Sequence, residues 1–106
     1  MRIRVVGGPY DGQHIAAIDL QRHATIQTLR AAGTARHFLY LPEPADWPAV
    51  LAGAMKIDDS RAYHYHEMVS TPAGLVLEFD PRGQRYRDAI AAATLEMPDR
   101  DGVETG

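Results

Sequence analysis

The sequence predicts an α+β domain: an antiparallel sheet of five to six strands, with two short helices packed on one face. Three observations carry this. An apolar run, Ile3–Val6, is followed by Gly7-Gly8-Pro9-Tyr10-Asp11-Gly12 and a second apolar run, Ile15–Ile18. Near the other end, Arg61–Val69 and Leu75–Phe79 flank the turn cluster Ser70-Thr71-Pro72-Ala73-Gly74. Short turns join antiparallel strands, whereas parallel strands need long crossovers. Finally, two segments, about 46–56 and 80–95, carry apolar residues at helical spacing behind an Asp and a Pro.

The elements follow in order. Arg2–Val6 is the first strand and Gln13–Ile18 the second, with Ile3, Val5, Ile15 and Ala17 alternating toward one face. Between them, Gly7, Gly8, Pro9, Asp11 and Gly12 form a structural turn. Glycine accepts positive φ, Pro suits the second turn position, and Asp-Gly is a hairpin dipeptide. A phosphate cradle would need glycines at defined spacing before a helix; here the next segment is strand-like, and no Gly-Lys-Ser/Thr follows.

Residues 19–33 are open to either period. Leu20, Ala24 and Ala31 suit a helix, whereas Thr25, Ile26 and Thr28 favour a strand over about 24–31. His37–Leu41 is an aromatic strand stopped by Pro42. Asp46 is expected to cap a helix packed by Trp47 and Leu51, which Gly53 weakens. In Arg61–Val69, Tyr63, Tyr65, Glu67 and Val69 project to one face, and His64, His66 and Met68 to the other. Asp80-Pro81 then opens a helix with the stripe Tyr86, Ile90, Ala93, Met97, running to about Leu95. Pro98 stops it. Residues 1–97 thus form one domain, and the aperiodic polar residues 98–106 are expected to be a disordered tail.

The turn from Gly7 to Gln13, set behind an N-terminal strand, resembles that of a group of small phage and prophage proteins of unassigned function. The likeness continues in the aromatic strand Ala62–Val69. It implies a β-rich domain of viral origin and transfers no catalytic residues.

Composition narrows the function. The chain has 106 residues, no Cys and a net charge of −3. Without Cys there are no disulfides, thiol nucleophiles or thiolate metal sites. No apolar run of spanning length and no secretory leader is seen, so the expected setting is cytoplasmic, in a bacterial host if the origin is viral. Residues 1–41 carry a charge of +3 and residues 42–106 a charge of −6. Such asymmetry suits recognition of a charged partner, although solvation of a small domain's surface is the simpler reading of it, and the total speaks against general nucleic-acid binding.

Chemistry-bearing motifs are few. His64-x-His66 puts two imidazoles on one side of a strand, where they could ligate one metal if a third ligand joined them. Glu67 and Glu78, on neighbouring strands, could face each other as a carboxylate pair. No Gly-x-Ser-x-Gly elbow exists. The expected binding residues are therefore Tyr63, His64, Tyr65 and His66, with no cofactor. The expected function is a non-enzymatic protein-interaction module whose partner is a host or viral protein, a host defence component being one form. The alternatives are a His-based metal-binding protein or metal-dependent enzyme, and a nucleic-acid-binding module. An open sheet also has edges through which a homodimer could form.

Overall fold

The computed structural model describes residues 1–95. The expected tail at 98–106, and Met97 of the expected helix stripe, lie outside the described residues. The architecture is α+β, with six strands in one sheet: β1 (Arg2–Val6), β2 (His14–Ala16), β3 (Gln27–Ala31), β4 (Thr34–Pro42), β5 (Tyr63–Thr71) and β6 (Gly74–Phe79). Their order across the sheet is β2-β1-β6-β5-β4-β3. All neighbours are antiparallel except β1 and β6, which run parallel with Val5 opposite Leu77. The sheet is thus two hairpin systems joined along one parallel seam. No local turn could announce that seam, because its strands are about 70 residues apart in the chain.

The N-terminal hairpin forms where the apolar alternation places it, with Ile3 opposite Ile15. Its loop holds a 3-10 turn at Gly8–Tyr10, and Gly7, Gly8 and Gly12 all adopt positive φ. Asp11 Oδ1 accepts the Gly7 N–H at 2.7 Å, closing the loop on itself.

The second strand is shorter than Gln13–Ile18. It ends at Ala16, and Ala17–His23 is a helix, α1. Its burial follows the helical period: Leu20 is buried while Ile18 is exposed. The strand expected over about 24–31 is β3, which begins at Gln27.

The helix expected over 46–56 is the single turn and a half Trp47–Leu51, α2. Gly53, at φ 76°, turns the chain out of the helix. Asp46 does not cap α2; its carboxylate accepts the Ser60 hydroxyl at 2.9 Å. Trp47 is buried as expected, but Val50 rather than Leu51 is the second anchor.

The last helix, α3, spans Gln84–Leu95 and begins later than Asp80-Pro81 suggests. A 3-10 turn at Pro81–Gly83 intervenes, with Arg82 at φ 58°. Asp80, fully buried, still serves as the cap: its carboxylate accepts the N–H groups of Arg85 at 2.8 Å and Tyr86 at 3.0 Å. The helix buries Ala89 and Ala93, holds Tyr86 half-buried and leaves Ile90 exposed.

The two short helices α1 and α2 cover one sheet face. There Leu20, Trp47 and Val50 bury against Ile3, Val5, Ile15, Leu39, Leu41 and Leu77. Each fully buried aliphatic side chain here contributes roughly 1.5–3 kcal/mol relative to exposure. The opposite face carries α3, whose Tyr86 ring meets Phe38 and Tyr65. The two expected helices, α2 and α3, thus lie on opposite faces of the sheet, and α1 joins α2 as a third helix. Among the described residues no helix is long and apolar enough to cross a membrane.

Candidate functional site

The pairing of β4 with β5 sets Tyr40 opposite Tyr65 and Pro42 opposite Tyr63. Alternation then turns Phe38, Tyr40, Tyr63 and Tyr65 to the face that carries α3. Tyr86 reaches down from the first turn of α3, close because Asp80 and Gly83 hold the helix start against β5. Gly83 sits where a Cβ would lie 3.2 Å from the Tyr65 ring, so only glycine allows that approach without displacement.

The result is a contiguous tyrosine surface. Tyr40 lies 4.8 Å from Tyr63 and 5.9 Å from Tyr65, centroid to centroid; Tyr65 stacks on Tyr86 at 5.9 Å. The hydroxyls of Tyr40, Tyr63 and Tyr86 are anchored at the rim. Tyr40 donates to Asp58 Oδ1 at 3.0 Å, Tyr63 to the Asp58 carbonyl at 2.9 Å, and Tyr86 to Gln27 Oε1. The bond to Asp58, followed by burial, raises the Tyr40 pKa above its ordinary 10. A depression of about 190 Å³ opens between Gln27, Phe38, Tyr40, Tyr65 and Tyr86. Tyr63 is the most exposed member, at 40%.

Beside this surface runs a charged chain. Arg36 grips Glu67 with two bonds, of 2.8 and 2.9 Å. Arg85 reaches Glu78 at 2.8 Å and Glu67 at 3.4 Å. Glu67 and Glu78 do face each other across β5 and β6, as their placement suggested. Arginine occupies both, and the bond to Arg36 holds the Glu67 carboxyl below its usual range. A general acid would need the opposite shift. The Arg36 guanidinium also lies 5.1 Å over the Phe38 ring.

The four expected binding residues do not form one site. Tyr63 and Tyr65 belong to the tyrosine surface; His64 and His66 point through the sheet to the other face. His66 is fully buried among Tyr10, Phe79 and Leu39. Its Nδ1 lies 2.9 Å from the His64 carbonyl, which can only accept, so Nδ1 carries the proton. Among the described residues, no group hydrogen-bonds to the buried Nε2. Burial lowers the His66 pKa to about 4, against a smaller upward pull from the backbone bond. His64 Nε2 instead pairs with Glu43 Oε1 at 2.6 Å. Among the described residues, no three His, Asp or Glu side chains converge as a metal-binding group.

Three members of the surface, Tyr40, Tyr86 and Gln27, are absent from the expected binding residues. Tyr86 reads as one apolar position of a helix stripe, and Gln27 falls in the segment of ambiguous period. The packing of α3 brings Tyr86 to Tyr65, and the pairing of β3 with β4 sets Gln27 opposite Phe38 beside them. Compared with known proteins, the chain significantly matches no family model, no curated protein and no solved structure.

Proposed function

We propose that this chain is a non-enzymatic protein-interaction module that engages its partner through the surface formed by Tyr40, Tyr63, Tyr65 and Tyr86. The observation that carries this reading is the continuous contact of four tyrosine rings on one sheet face, each half-buried or exposed. Tyrosine combines a large apolar area with a polar tip and few rotatable bonds, which is why it is enriched where proteins meet. Here the rings are already held by one another and by Asp58 and Gln27, so little ordering remains to be done on binding.

Three observations weigh against the alternatives. The arginines next to the rings, Arg36 and Arg85, are engaged by Glu67 and Glu78 rather than left for phosphates. His66 is sealed inside the protein, and His64 is committed to Glu43. The carboxylates on neighbouring strands are both paired with arginine. The likeness of the Gly7–Gln13 turn to phage proteins makes host and viral proteins the first place to seek the partner.

The test is affinity capture from bacterial lysate, with and without phage infection, followed by titration of the recovered partner. Tyr63→Ala, at the exposed end of the surface, should weaken that binding by roughly tenfold or more, as expected of an interface aromatic. Unchanged binding by the folded variant would refute the assignment of this surface.

A further inference from the structure

The two edges of the sheet differ. β2 is three residues long, and the chain leaves it directly into α1. β3, at the opposite edge, is five residues long; Gln27, Thr28 and Arg30 are exposed, and Leu29 is half-buried. It pairs with β4 one residue to one, without a bulge. It contains no Pro and no Lys, two devices that commonly blunt an edge. Beside it an open groove of about 460 Å³ runs along Thr28–Gly33 and is bounded by Ala93 of α3. Among the described residues, no strand pairs with this edge.

We propose that β3 pairs antiparallel with β3 of a second copy, joining two sheets into one across a two-fold axis at Leu29. The composition of the strand argues for a copy of itself as the occupant. An axis at Leu29 sets Leu29 on Leu29, Gln27 opposite Ala31, and Thr28 opposite Arg30. All five residues pair, and each arginine meets a hydroxyl. An axis one residue later places Arg30 against Arg30, and one residue earlier shortens the pairing to Gln27–Leu29. Like charges directly opposite are destabilising, so one register is selected. Gln27, Leu29 and Ala31 share the face on which Gln27 meets Tyr86 of α3, so the groove continues across the axis. The contact is isologous and closes after two copies, leaving only the short β2 edges outside. It pairs none of the four tyrosines and can be tested on the purified chain alone.

Because the chain has no cysteine, single substitutions report the register. Under mild oxidation Leu29→Cys should form a disulfide-linked dimer at least roughly tenfold faster than Ala31→Cys or Ala52→Cys. About the proposed axis, an Ala31 position lies about 13 Å from its copy, beyond disulfide reach. In parallel, sedimentation of the unmodified chain should show a monomer–dimer equilibrium. Leu29→Lys, which sets like charges on the axis, should weaken it at least roughly tenfold. A chain that stays monomeric at about millimolar concentration overturns the proposal. So does equal crosslinking from positions 29 and 31, or a dimer indifferent to Leu29→Lys in a variant that remains folded.

Discussion

The Tyr10 hydroxyl donates a 2.7 Å hydrogen bond to the Pro42 carbonyl, 32 residues away and fully inside the protein. It ties the N-terminal turn to the end of β4. Burial, assisted by the nearby charges of Glu43 and Asp46, raises the phenol's pKa far above its ordinary value, so it stays a donor. Removing only the oxygen, in Tyr10→Phe, keeps the packing and leaves the carbonyl without this partner. The expected loss is about 1–2 kcal/mol of unfolding free energy, read from denaturant midpoints. A change within error would mean that the ring alone fixes the turn.

Gly8 should be the least replaceable glycine of the turn. It has φ 73°, and a Cβ there would lie 2.5 Å from two carbons of the Phe79 ring. Gly12 has a similar φ of 82° but open space around it. Gly12→Ala should therefore cost about 1–2 kcal/mol, from backbone strain alone. Gly8→Ala adds overpacking and should cost about 2–4 kcal/mol. Equal losses in the two variants would show that the approach to Phe79 does not matter.

Stability should fall on mild acidification because of His66. Its folded-state pKa of about 4 lies below the ordinary 6.5. Above pH 6.5 neither state binds a proton at this residue. Between 6.5 and 4 the unfolded chain binds one and the folded chain does not, so lowering the pH favours unfolding. The contribution lost approaches about 3 kcal/mol near pH 4. Glu67, held below its usual range, acts in the same direction, and its share is lost as the pH falls through its lowered value. His66→Leu should flatten the dependence between pH 6.5 and 4.5 in urea melts. An unchanged slope in that variant would place the acid sensitivity elsewhere.

The β3–β4 turn can be improved. Ala32 (φ 54°) and Gly33 (φ 76°) both lie in the left-handed region, as the tight hairpin connecting Ala31 to Thr34 requires. Alanine tolerates this poorly, whereas Asn is common there. Ala32→Asn should stabilise the protein by about 0.5–1 kcal/mol. A destabilised variant would mean that the methyl group has a packing role outweighing the strain.

Much of this molecule is local, and that part is readable from residues alone. The turn at Gly7–Gly12, the hairpin from Tyr63 to Phe79 and the alternation that separates Tyr65 from His66 each depend on neighbours in the chain. So does the capping role of Asp80, although Arg82 and Gly83 delay the helix that it caps. The errors fall where local preference is weak. Ala17–His23 holds residues that suit a helix beside the tail of an apolar alternation, and the burial of Leu20 decided between them. In α2 the period fits both Val50 and Leu51, and contact with the core chose Val50.

The sequence by itself determined the class of fold, the hairpins and the face on which each aromatic of β5 lies. These follow from backbone preference and from a period of two, which need no knowledge of distant residues. Only the tertiary structure decided the parallel seam between β1 and β6, the burial of His66 against Tyr10 and Phe79, and the meeting of Tyr86 with Tyr65. Each of these joins segments far apart in sequence, and their placement minimises exposed apolar area over the whole chain rather than within any one stretch.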